Sequence, residues 1–128
     1  MMSRRAVLTA LPALALLAVP ARAFEFQPYD PAAVDKAIAS GKPVVIHVYA
    51  PWCLQCHMQK SILEGLATER KYDGVKFFRV DYDNQKDIVA KFDCPRSTLI
   101  AFKGGKEIGR MSWGMTQDSV LGVLNKAI

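Results

Sequence analysis

The side chains best equipped for chemistry are the two cysteines of Trp52-Cys53-Leu54-Gln55-Cys56-His57. Two cysteines three apart at the start of a helix can close a small disulfide across one turn. The helix N-terminus aims unpaired N–H groups and the positive end of its dipole at Cys53. A thiolate is stabilised there and its pKa falls, so Cys53 is the candidate nucleophile. Cys56 sits one turn deeper and is the candidate resolving thiol. The C-x-x-C spacing alone is shared by redox, metal and haem sites, so the surrounding elements have to decide.

Those elements alternate. Phe24 to Tyr29 reads as a short edge segment. Asp30-Pro31 reads as an N-cap followed by a first-turn proline, opening a helix that runs to about Ser40 and stops at Gly41. Val44 to Ala50 is a continuous, largely β-branched run, the pattern of a strand covered on both faces. Pro51-Trp52 turns the chain into a helix from Cys53 to about Glu69, with Met58, Ile62, Leu63 and Leu66 as its inner stripe. Val75 to Tyr82 reads as a strand, and Asp83 as the cap of a helix over residues 85–92. Cys94 to Ser97 is a loop, Thr98 to Phe102 a strand, and Gly104-Gly105 a tight hairpin into Glu107 to Ser112. Thr116 caps a last helix over residues 118–128. Parallel strands joined by helices, then a hairpin and a helix, predict an α/β fold: a central mixed sheet with helices on both faces.

In this order and spacing the chain resembles the thioredoxin-fold family over nearly all of residues 24–128. The resemblance is carried by Ala50-Pro51-Trp52-Cys53-Leu54-Gln55-Cys56, by Val80-Asp81-Tyr82-Asp83 and by Thr98 to Lys106. It implies a protein-disulfide oxidoreductase working on protein thiols and disulfides, with Cys53 attacking and Cys56 resolving. The Cys53–Cys56 disulfide would be its redox centre, with no other cofactor and no metal. The chain resembles small exported bacterial members more than the cytosolic reductant, and a monomer is expected.

Several positions depart from the family pattern. Leu54-Gln55 replaces Gly-Pro between the cysteines, and with His57, in place of a common Lys, it is expected to tune the redox poise. His47 stands where the family often keeps a buried Asp, which makes it a candidate proton acceptor for Cys56, against the reading of a core histidine bonded to a backbone carbonyl. Ser97 falls on the family's cis-proline position. A cis bond before it would cost about 3–4 kcal/mol, so its isomer is open, and the loop is expected to help grip the partner peptide. Trp52 is expected to be a flat apolar flank of the dithiol and part of the docking surface. Cys94 reads as a partly buried thiol, or as a second site of mixed-disulfide formation.

Two rival chemistries use the same residues. Cys53-Leu54-Gln55-Cys56-His57 fits the haem-attachment pattern C-x-x-C-H, with Met111 or Met115 as an imagined second ligand. Strong strands on both sides of the motif argue against it. Cys53, Cys56, His57 and Met58 are all suited to Cu(I), which would make a copper-binding module.

The first 23 residues read as a cleavable signal: Ser3-Arg4-Arg5, an apolar run to Val19, and Ala21-Arg22-Ala23 as the cleavage site. Ser3 to Leu8 also resembles a twin-arginine export pattern. The expected compartment is the periplasm, where thiol chemistry matters. The chain carries 17 basic and 12 acidic residues for a net charge of +5. Without Arg4, Arg5 and Arg22 the balance is 14 − 12 = +2, which excludes a nucleic-acid footprint. No charge lies between the cysteines, and His57 is the one nearby cation the sequence suggests. A moderately lowered Cys53 pKa then predicts a reductase or electron relay, resupplied by a membrane electron donor.

Overall fold

The structure is a computed structural model and describes residues 26–128. The predicted signal, residues 1–23, lies outside the described residues, as do Phe24 and Glu25. Among the described residues five strands form one sheet in the order β1-β3-β2-β4-β5. They are β1 (Gln27–Pro28), β2 (Val44–Tyr49), β3 (Lys76–Asp81), β4 (Thr98–Lys103) and β5 (Lys106–Ser112). β2 runs parallel to β3 and antiparallel to β4, so the strand that delivers the C-x-x-C motif sits at the centre.

The pleat of β2 divides the core. Val44, Ile46 and Val48 pack with Val34 and Ala37 of α1 (Pro31–Ala39) and Ile88 of α3 (Lys86–Phe92). Val45 packs on the other face with Leu63 and Leu66 of α2 (Leu54–Leu66) and Val120 and Leu124 of α4 (Gln117–Ala127). His47 shares that second face, under α2. Helices therefore cover both faces, as the sequence predicts.

Local signals explain most boundaries. Asp30 accepts the Ala33 N–H at 3.0 Å, ahead of Pro31. Gly104 and Gly105, with φ of 63° and 81°, make the hairpin between β4 and β5. Thr116 and Ser119 form a reciprocal cap on α4. Three expectations are corrected. α2 ends at Leu66, and a single 3-10 turn follows at Arg70–Tyr72. Asp83 does not cap α3: Gln85 occupies that position, and the Asp83 carboxylate instead accepts the Trp52 indole N–H at 2.9 and 3.1 Å. Met58 is not on the inner stripe of α2. It is 42% exposed, because burying Cys56 and Gln59 turns the inward face onto Cys56, Gln59, Leu63 and Leu66.

Candidate active site

β2 ends at Tyr49, Ala50 and Pro51 turn, and α2 begins at Leu54, so Cys53 becomes the N-cap of α2. Cys53 N–H donates to Ala50 O at 3.1 Å and fixes the turn. The Cys53 sulfur accepts the Cys56 backbone N–H at 3.2 Å, which satisfies one orphan donor of the helix. Cys56 is fully buried, and its thiol lies 3.8 Å from Val48 O. Cys53 is only 2% exposed, so the two sulfurs differ little in exposure.

They differ in electrostatics. Burial pushes the Cys53 thiol up, but Cys56, followed by Arg96 and Ser97, outweighs burial and holds its pKa below the ordinary thiol value. Burial, reinforced by the neighbouring Cys53 sulfur, pushes Cys56 up to about 11. The sequence suggests Leu54 and Gln55 as tuning residues. Leu54 is 68% exposed, and Gln55 Oε1 lies 3.7 Å from the Cys53 sulfur, where it accepts from a protonated thiol. His57 is turned away: its ring is held by Tyr49 OH and the Pro51 carbonyl.

The structure does not bring His47 to Cys56 by a hydrogen bond. His47 is fully buried, and its Nε2 lies 3.0 Å from Gln59 Oε1. Gln59 Nε2 donates to Ser97 O at 3.0 Å and Gly114 O at 2.8 Å, so Oε1 is left as acceptor and His47 carries its proton on Nε2. Burial, with the Arg79 guanidinium second, depresses the His47 pKa to about 3. An imidazole near 3 is a poor acceptor for a proton from a thiol near 11, a gap of 11 − 3 = 8. The core-histidine reading is therefore the better one, except that the partner is Gln59 rather than a backbone carbonyl.

Ser97 is fully buried, its hydroxyl has no hydrogen-bond partner, and it lies close enough to both thiols to lower the pKa of each. The structure settles its isomer as trans: no cis peptide bond occurs among the described residues, and Ser97 takes a left-handed φ of 62°. Its N–H donates to Val48 O at 2.9 Å, and its carbonyl accepts from Trp113 N–H at 2.9 Å as well as from Gln59. Its own peptide groups are thus occupied internally rather than offered to a partner peptide. Trp52 is 58% exposed beside Cys53.

Sequence reasoning missed Gln59, Arg96 and Trp113. A lone Gln in an otherwise apolar helical stripe was the signal for the first. Nothing in the sequence marks Arg96 and Trp113 as neighbours of Trp52. Cys94 is half-buried, and burial raises its pKa. The rival readings gain no support. His57 and Met58 point away from the sulfurs, and among the described residues no group of three or more His, Cys, Asp or Glu is placed to hold a metal ion.

A buried dithiol at a helix N-terminus, fed by the central strand of a mixed sheet with helices on both faces, defines the thioredoxin-fold class of dithiol proteins. The family model for thioredoxin matches residues 25–126. Thioredoxin-2 of Saccharomyces cerevisiae is 38% identical over 79 residues, covering 60% of this chain and 74% of that protein. Thioredoxin of Chlamydia trachomatis is 35% identical over 91 residues, covering 70% and 86%. The crystal structure of Trxlp from Edwardsiella tarda superposes with a TM-score of 0.71 at 33% identity, covering 75% of this chain and 94% of that one. The chain belongs to the thioredoxin family and is a thiol–disulfide oxidoreductase.

Proposed function

We propose that the protein reduces disulfides of exported proteins, or relays electrons to them, with Cys53 as nucleophile and Cys56 as resolving thiol. The observation that carries this reading is the split between the two sulfurs: Cys53 held below the ordinary thiol value, Cys56 pushed up to about 11. The Cys53 thiolate attacks a substrate disulfide, a Cys53–substrate bond forms, and one substrate sulfur leaves and takes a proton. Cys56 then loses its proton and attacks Cys53. The Cys53–Cys56 disulfide closes, the second substrate thiol leaves, and two electrons have passed to the substrate. Exposed Trp52 supplies an apolar flank for docking.

The reducing direction is supported by uncharged Leu54 and Gln55, by the Gln55 carbonyl that favours a protonated Cys53, and by the withdrawal of His57. Arg96 works the other way. The signal-like first 23 residues support a periplasmic location. A reductase there needs a membrane electron donor, because its surroundings are oxidising. The redox centre is the cysteine pair itself, and the working unit is a monomer. Equilibration with glutathione tests the direction. A potential near about −270 mV suits a reductant, and one near about −120 mV would recast the protein as an oxidant.

A further inference from the structure

We propose that Arg96, clamped between the indole rings of Trp52 and Trp113, is the cation that stabilises the Cys53 thiolate, and that the two tryptophans set the poise of the dithiol by holding it in place. The inference deepens the reading of Cys53 as nucleophile and rests on it.

The clamp is a geometric fact. The Arg96 guanidinium carbon lies 4.6 Å from the Trp52 ring centroid and 4.8 Å from that of Trp113. A planar guanidinium between two rings has both faces shielded from water, so its charge is screened less than that of a free surface arginine. Arg96 Nε is buried and has no hydrogen-bond partner. Chain adjacency places this stack beside the dithiol. Trp52 precedes Cys53, and Arg96 precedes Ser97, which is buried against both thiols.

Each plate is anchored independently of Arg96. Trp52 donates its indole N–H to the Asp83 carboxylate at 2.9 and 3.1 Å. Trp113 donates its backbone N–H to Ser97 O at 2.9 Å, and both residues of that bond have left-handed φ values, 70° and 62°. Such backbone costs on the order of 1–3 kcal/mol per non-glycine residue and persists only where its surroundings hold it. Here it places the Trp113 ring over Arg96. His57 and Arg79 are engaged elsewhere: His57 is held by Tyr49 and Pro51, and Arg79 stacks between Phe26 and Tyr49 at 4.2 and 4.7 Å.

The consequence is directional. Reduction of the Cys53–Cys56 disulfide by a partner dithiol takes up two electrons. At a pH between the two thiol pKa values it leaves a thiolate at Cys53 and a thiol at Cys56. The partner's two protons supply one to Cys56 and release one to solvent. A fixed cation at Cys53 stabilises that reduced form and not the disulfide, so it makes the site more oxidising than its uncharged Leu54-Gln55 pair would. The lowered Cys53 pKa, to which Arg96 contributes, agrees.

The test is the ultraviolet titration of the thiolate in the reduced full chain, where Cys56 and Cys94, both raised, ionise later than Cys53. Arg96→Met should move the first ionisation up by about one unit, roughly a tenfold smaller thiolate fraction at a fixed pH below it. The glutathione equilibrium should shift toward the disulfide in the same variant. Trp113→Leu, which leaves the cation but removes a plate, should move both readouts the same way by less. Arg96→Lys keeps charge without the planar stack and should fall between Arg96→Met and wild type. An unchanged first ionisation in folded Arg96→Met overturns the proposal. If that variant does not fold, unchanged values in both Arg96→Lys and Trp113→Leu overturn it. Mixed-disulfide trapping by Cys56→Ser reports on the nucleophile separately, so failure of that assignment is visible apart from failure of the clamp.

Discussion

His47 Nε2 donates to Gln59 Oε1 at 3.0 Å across the gap between β2 and α2. The bond fixes the tautomer, and His47 Nδ1 is left buried with no hydrogen-bond partner. A histidine so placed is a structural group, and its titration reports on folding. Its pKa is about 3 when folded and near 6.5 when unfolded. The unfolded chain therefore binds the extra proton between these values. The stabilisation is fully present above pH 6.5 and is lost as pH falls toward 3, at about 1.4 kcal/mol per pH unit. In denaturant titrations the wild type should lose stability relative to His47→Asn between pH 6.5 and 4.5, by about 2–3 kcal/mol. Parallel curves would contradict this. The same variant should keep most of its exchange rate at neutral pH, whereas losing a true general base costs about a hundredfold or more.

Gln59 is the knot of that network, joining α2 to His47 on β2, to Ser97 and to Gly114. Gln59→Leu removes both amide donors and the acceptor for His47. Gly114 O loses its amide partner, and the His47 N–H is left buried and unpaired. The expected loss is about 2–4 kcal/mol by chemical denaturation. Because the two residues share a bond, Gln59→Leu combined with His47→Asn should cost less than the sum of the two, by about 1 kcal/mol. Strict additivity would mean that the bond does not couple them.

The gross architecture was legible in the sequence because it rests on local signals. Asp30-Pro31, the β-branched run at Val44, Gly104-Gly105 and Thr116 each act within a few residues, and each boundary falls within a residue or two of its prediction. The cysteine pair was legible for the same reason: the helix start that activates Cys53 is its own neighbour in sequence. What failed was long-range. Gln59 meets Gly114 from 55 residues away, and Arg96 meets Trp52 from the other side of the dithiol. Periodicity assigns a polar residue in a helix to solvent, and it misassigned Met58 to the core by the same logic. Nothing in the sequence shows that Tyr49 and Pro51 hold the His57 ring.

Gly114 permits the close approach of the loop after β5 to the network. A Cβ there would lie 2.6 Å from both Met111 Sδ and Ser119 Oγ, and 2.7 Å from Ser119 Cβ. Ser119 is tied into the α4 cap, and Met111 Sδ accepts the Gly114 N–H at 3.1 Å, so neither moves freely. Gly114→Ala should destabilise by about 1–3 kcal/mol. It should also slow exchange, because the displaced carbonyl is the one that orients Gln59 beneath Ser97. Thermal unfolding and a disulfide-reduction assay read the two effects. Wild-type values in both would show that the loop yields without cost.

The two sulfurs should give the two chemical steps different pH dependences. The first step uses the Cys53 thiolate, whose pKa lies below the ordinary thiol value, so its rate rises with pH and levels off early. The second uses the Cys56 thiolate. Burial is the largest cause of the rise to about 11, and it persists in the mixed disulfide, whereas the contribution of the ionised Cys53 sulfur does not. Cys56 therefore stays above the ordinary thiol value while it resolves. Below that pKa each pH unit multiplies its thiolate fraction by about ten. Rapid mixing with a labelled disulfide should show a fast phase for attack and a slower phase for release. Between pH 7 and pH 9 the slower phase should accelerate by roughly a hundredfold while the fast phase changes little near the top of that range. A flat second phase would mean that a base inside the site takes the Cys56 proton.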